Sequence, residues 1–182
     1  MRVYVETGIF IDYLISRSHS ASLRTSARRG RTPSDLCTDA EKCLEKIRKN
    51  HKGITSCLTY YEVEEALYAE LARSGSGVSH RAKYLIPSAR SVMTQVLMTV
   101  KLFQIDVLEL TDVTLQEQMK NIDLQVLGIR AADALHVTTA ILNNADLILS
   151  ADDDILALDG RLTNASGSGI RCFDSDTSLT FL

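Results

Sequence analysis

Four carboxylates stand where the chain leaves an apolar run or enters a helix: Glu6, Glu62, Asp133 and Asp152. Glu6 closes the run Val3-Tyr4-Val5. Glu62 follows a second apolar run, Ile54–Leu58, by four residues. Asp133 lies in the first turn of an apolar helical pattern, and Asp152 lies three residues past Leu149, opening Asp152-Asp153-Asp154. Carboxylates gathered in one pocket repel one another, and their proton affinities rise. A divalent cation relieves that repulsion, and all-oxygen donors suit Mg²⁺ or Mn²⁺. An ion held with open water positions can activate water and stabilise negative charge developing on a phosphate. Metal-assisted hydrolysis is therefore the chemistry these acids could share.

The acids need a frame that brings distant segments together. Residues 2–6 read as a short buried strand, rich in β-branched and aromatic side chains, and Thr7-Gly8 turns the chain into a helix beginning IFIDYLI. Residues 16–35, rich in Ser and Arg with one Gly and one Pro, read as a loop or insertion. A helix is expected over 39–50, with Leu44 and Ile47 on one face. A strand follows over 54–58, then a long helix from Thr59 to Gly75, a Gly/Ser linker over 74–79, and a helix over 81–101 broken near Pro87. Further strands are expected over 103–108, 145–149 and 170–173. Helices are expected over 111–127 and 130–143, with a helical turn over 152–158 and a polar tail at the end. Alternating strands and helices predict an α/β fold of three layers, α/β/α, around a mainly parallel sheet. In such sheets ligands bind beyond the carboxyl ends of the strands, which is where the four acids fall.

With 182 residues, the chain has the length of one domain, 1–182, and its 45% of apolar residues can form a core without staples. The net charge of -3 excludes a protein held to nucleic acid by overall charge alone. Local arginines or bound cations would have to do the attracting. No two of Cys37, Cys43, Cys57 and Cys172 have metal-site spacing, and all four read as reduced, as in a cytoplasmic setting. The N-terminal segment is apolar but carries Glu6 and Asp12, and it does not read as a signal peptide. No run of about 18 apolar residues predicts a membrane span.

With these motifs in view, the chain resembles the PIN-domain family, which includes the ribonuclease toxins of toxin–antitoxin pairs. VYVETGIFIDYL resembles the family's opening strand-D-T-N/S-helix. TSCLTYYEVEEAL resembles its second motif through Ser56, Leu58, Thr59 and Glu62. AADALHVTTAIL resembles the third around Asp133, and SADDDI the fourth. The motifs come in family order over residues 3–155. The resemblance implies a five-stranded parallel sheet between helices and Mg²⁺- or Mn²⁺-dependent hydrolysis of RNA. It also implies a homodimer and an antitoxin protein partner. Carried over by position, it implies metal-binding and catalytic roles for Glu6, Glu62, Asp133 and Asp152, with Asp154 as an accessory and Thr7 and Ser150 supporting the pocket by hydrogen bonds. Two positions depart from the pattern: Glu6 replaces the usual Asp, and Gly8 the usual Asn or Ser. They motivate a second reading, a catalytically weak or inactive scaffold of the same fold that binds RNA or a protein partner.

Taken singly, the acids also have local explanations. Glu6 fits a solvated strand end, and Thr59-x-x-Glu62 fits a capping box. Asp133 suits a helix N-terminus in any case, and Asp152 an N-cap. Their occurrence together, in order, favours the shared pocket. Asp12 reads as a solvated helix residue and His136 as a satisfied core histidine. Glu64 and Glu65 read as solvated, though Glu65 lies one turn from Glu62. The arginines Arg17, Arg24, Arg28, Arg29 and Arg31 read as a solvated loop or as flexible RNA contacts, since guanidinium pairs bidentately with phosphate. The apolar segment 85–102 reads as core or as a dimer surface.

Overall fold

The computed structural model of the protein describes residues 1–15, 27–74 and 81–182. Arg17, Arg24 and residues 75–79 of the predicted linker lie outside them. Strand β1 (Arg2–Val5) is central, between β2 (Lys52–Ser56) and β4 (Leu147–Leu149). β3 (Asp106–Leu108) flanks β2, and β6 (Gly169–Phe173) flanks β4. These five strands run parallel, with Val3 opposite both Gly53 and Leu147. A sixth strand, β5 (Leu162–Thr163), pairs antiparallel with β6 at the edge. Five strands are expected from the sequence. The sixth is two residues long, too short to leave a periodic signal.

Strand side chains alternate between faces, and the core divides accordingly. Val3, Val5, Leu147 and Leu149 pack with Ile9, Phe10 and Leu14 of α1 (Thr7–Ile15) and with α2 (Pro33–Asn50), α3 (Leu58–Ser74) and α4 (Arg81–Leu102). Tyr4, Ile54 and Ile148 face the other way, onto α6 (Ile122–Val126), α7 (Ala131–Leu142) and α8 (Asp153–Leu156). The sheet is thus enclosed by helices on both faces. α5 (Asp112–Lys120) packs on α7, and α9 (Ser175–Phe181) on α2. Each fully buried aliphatic or aromatic side chain of these cores contributes roughly 1.5–3 kcal/mol. All four cysteines are free, three of them buried. No described helix is long and apolar enough to cross a membrane.

Several element boundaries differ from expectation for local reasons. α2 begins at Pro33, inside the predicted loop, because Thr32 and Asp35 form a reciprocal capping box and Pro33 suits the first helical position. α4 continues through Pro87. Lys83 and Pro87 are both exposed, so water can reach the carbonyl left without an amide partner. The helix expected over 111–127 is split at Asn121, whose side chain accepts from the Leu124 N–H. The polar tail forms α9, capped by Asp174.

Residues 28–31 also depart from the predicted solvated loop. A two-residue turn pairs Arg28 with Arg31 through both backbone hydrogen bonds, with Arg29 and Gly30 at positive φ. Its guanidinium groups point at carboxylates. Arg28 forks onto Asp12, with Nη1 3.0 Å from Oδ1. Arg29 and Arg31 both pair with Asp174, and Arg29 also reaches Asp153. Asp12, expected in solvent, is 1% exposed because this partner lets it be buried. Asp174 is likewise buried, and removing one partner of a buried ionic network leaves uncompensated charge. Replacing Asp174 with Ala is expected to lower unfolding stability in urea by about 3–5 kcal/mol. A loss below about 1 kcal/mol would show the arginine turn to be dispensable for the fold.

Candidate metal centre

Thr7, Glu62 and Asp152 reach one cleft by different routes. Glu6 follows β1 directly, and its side chain turns back along the start of α1. The Gly8 N–H and the Ser150 hydroxyl donate to the same oxygen, Glu6 Oε2, at 3.0 and 3.1 Å. Ser150 follows β4 and is itself buried. Thr7 opens α1 and donates to Glu62 Oε2. Glu62 projects from the second turn of α3, and the same Oε2 lies 2.7 Å from His136 Nε2. Behind His136, the Tyr4 hydroxyl lies 2.6 Å from Nδ1. Asp152 is the N-cap of α8, its Oδ1 accepting from the Asp154 and Ile155 amides. Its own N–H donates to Ser150 Oγ, so Ser150 ties the β4 end to Glu6.

The cleft has a volume of about 370 Å³, and Glu6, Thr7, Gly8, Glu62, Glu65 and Asp152 are among the residues that line it. No protein donor among the described residues reaches Oε1 of Glu6 or Glu62. One ligand atom each from Glu6, Glu62 and His136 lie within 4.8 Å of one another. Asp133 is half-buried in the first turn of α7 and feels the charges of Asp152 and Glu62. Asp154 is exposed, and its side chain takes no part in this hydrogen-bond set. Arg29 borders the cleft from outside, donating to the Ala151 carbonyl at 3.2 Å.

The electrostatics follow from burial and proximity. Burial pushes the Glu6 carboxyl up, and the charge of Glu62 adds to this against the help of His136 and of the Gly8 and Ser150 donors. Asp133 is raised by burial and then by Asp152 and Glu62. Burial would raise Glu62 too, yet the hydrogen bond and charge of His136, with the Thr7 hydroxyl, hold it below the usual value. Burial opposes the charge on His136, but Glu62, Glu6 and Asp133 together raise its pKa. Glu62 and His136 thus favour the ion pair.

Gly8 is explained by contact. A Cβ there would lie 2.6 Å from Ala151 Cβ and 3.1 Å from Glu6 Oε2. Glycine is therefore what lets α1 approach the loop after β4, and the extra methylene of Glu6 lets its carboxylate fold back onto the Gly8 amide. The capping box read from Thr59 and Glu62 does not form. Ser56 Oγ accepts from the Leu58 N–H instead, while Thr59 bonds Thr55 at 2.9 Å and Glu62 turns to Thr7 and His136. His136 is a satisfied core histidine, as expected, and also a wall of the site. Its spacing of three from Asp133 on one helix was the signal available for it.

Two outcomes can be measured. Gly8→Ala forces the Ala151 contact and is expected to cost about 1–3 kcal/mol of stability, the range for overpacking, by chemical denaturation. A neutral result would mean that the helix and the loop part easily. The pH dependence of stability follows from the shifts. A raised His136 contributes stability that is complete below its unfolded value, about 6.5, and is lost as pH rises through the folded one. A lowered Glu62 contributes stability above its unfolded value and loses it as pH falls through the folded one. Raised Glu6 and Asp133 oppose folding once ionised. The metal-free protein is therefore expected to melt higher near about pH 6 than near about pH 8, and Glu62→Gln to flatten that slope. An unchanged slope in the variant would contradict the ion pair.

In comparisons with known proteins, the chain matches no family model and no curated protein.

Proposed function

We propose that this chain is a metal-dependent ribonuclease of the PIN-domain type, hydrolysing RNA phosphodiester bonds. The observation that carries the proposal is the pair of Glu6 and Glu62, whose Oε2 atoms are engaged by protein donors and whose Oε1 atoms are not, at one cleft beyond the carboxyl ends of parallel strands. Asp152 lines the same cleft, and Asp133 is electrostatically coupled to it. This oxygen-rich donor set fits Mg²⁺ or Mn²⁺. A divalent ion held by Glu6, Glu62, Asp133 and Asp152 would supply water activation and neutralise charge on the phosphate. The protein's own contribution is to fix the donors. Gly8 and Ser150 orient Glu6, Thr7 and His136 orient Glu62, and the cap to α8 orients Asp152. Arg28, Arg29 and Arg31 already have carboxylate partners, so they enter this reading as structural residues rather than free phosphate clamps. An antitoxin protein and a second copy of the chain belong to the reading as partners.

The test is cleavage of single-stranded and structured RNA with Mg²⁺ or Mn²⁺. Asp133→Asn is expected to lose at least about 10²-fold in rate, the cost of misplacing a reacting group by about an ångström. Equal activity of wild type and variant would sink the assignment. Since protons compete with the ion at raised carboxyls, Mn²⁺ affinity by calorimetry is expected to fall between about pH 7.5 and about pH 5.5. The backward fold of Glu6 favours the second reading, a binding scaffold with weak or no cleavage. Absence of Mn²⁺ binding favours the scaffold, whereas higher activity in Glu6→Asp identifies an impaired enzyme.

A further inference from the structure

Tyr4 and His136 lie behind the acids and have no counterpart in the donor set proposed above. Their hydrogen bonds fix where each proton must be. Tyr4 is fully buried, and its hydroxyl lies 2.6 Å from His136 Nδ1. Nε2 faces a carboxylate oxygen, which can only accept, so Nε2 carries a proton and Nδ1 of the neutral ring is left to accept the tyrosine proton. An imidazole whose Nδ1 accepts must carry its proton on Nε2. That N–H points at Glu62 Oε2, 2.7 Å away. The opposite tautomer would set a bare Nε2 against a carboxylate oxygen, a loss of a buried hydrogen bond.

We infer that Tyr4 and His136 form an orienting relay for Glu62: the Tyr4 hydroxyl to Nδ1, and Nε2–H to Glu62 Oε2. Although the nitrogen lies close enough to ligate an ion, its lone pair is occupied by the proton, so His136 is a positioning residue and not a metal ligand. Together with the Thr7 hydroxyl, the relay saturates Oε2 and leaves Oε1 as the oxygen that meets the cleft. The pair is also stiff. His136 is 0% exposed and its ring meets Tyr4 edge-on at 5.8 Å between centroids. Donors of this kind, one step behind a ligand, fix its rotamer and typically change metal affinity by about 10–100-fold when removed.

The metal half of this inference rests on the nuclease reading, and the hydrogen-bond half does not. The experiment therefore has two arms on the whole protein. In the first, nitrogen NMR of the metal-free protein, at a pH high enough for the ring to be neutral, reads the His136 tautomer. A proton on Nε2 with Nδ1 bare is expected, and a ring protonated on Nδ1 alone overturns the relay whatever the metal does. In the second, calorimetry measures Mn²⁺ binding. His136→Leu is expected to weaken it by about 10–100-fold, Tyr4→Phe by up to about tenfold, and His136→Gln, which keeps a donor near the Nε2 position, to restore most of the loss. A folded His136→Leu variant that binds Mn²⁺ as wild type does overturns the inference. If His136→Leu fails to fold, Tyr4→Phe, which removes one hydroxyl and keeps the ring, decides the point by the same measurement. If the wild type shows the Nε2–H tautomer and binds no Mn²⁺, the nuclease reading fails and the relay stands.

Discussion

Burying carboxylates at the end of a parallel sheet is the constraint around which this molecule is built. Glu6 is 7% exposed, and another carboxylate, Glu62, lies beside it. Water can no longer solvate these charges, so the protein must. The donors come from every neighbouring element: an amide from α1, a hydroxyl after β4, a hydroxyl at the start of α1 and a ring nitrogen from α7. Each needs its backbone in place, which is why Gly8 must lack a side chain and why Tyr4, alone among its strand neighbours, carries a polar tip into the core.

A similar solution appears a short distance away with arginines as the partners. Asp12 and Asp174 are buried under the turn formed by Arg28 to Arg31, and each finds guanidinium partners. Arg29 joins the two regions, touching Asp174, Asp153 and the Ala151 carbonyl. The difference between the clusters is chemical. Around Asp12 and Asp174 the charges are matched by arginines within the chain. Around Glu6 and Glu62 the basic group in hydrogen-bond contact is His136, and Asp133 and Asp152 add further negative charge. One cluster is a finished structural joint, and the other keeps an excess of negative charge facing a cleft.

Much of this was legible because periodicity and turn chemistry are local. Every parallel strand overlaps a run that reads as strand, and of the four acids Glu6, Glu62 and Asp152 line one cleft, while Asp133 is not among its lining residues. What was not legible depended on partners distant in sequence. Asp12 reads as solvated until Arg28 covers it. Thr59 and Glu62 read as a capping box until Ser56 takes the cap and Thr7 and His136 claim the carboxylate. The arginines read as a loose loop because nothing near them reveals Asp174, more than 140 residues away. His136 reads as core, which it is, and its second role required knowing that Tyr4 and Glu62 stand on either side of its ring. β5 and α9 were missed for a simpler reason, being short and polar enough to leave no pattern.

The order of the strands has a consequence for synthesis. β1 pairs with β2 across about fifty residues, but its other edge waits for β4, and Ser150 lies 144 residues beyond Glu6. At ribosomal speeds of roughly 5–20 residues per second, that interval is on the order of ten seconds. During it, one edge of the first strand has no neighbour and Glu6 has no Ser150. The cleft consequently comes into being only once Ser150 and Asp152 have been made, and a polypeptide terminated before β4 would expose a sticky strand edge while lacking part of its acidic wall.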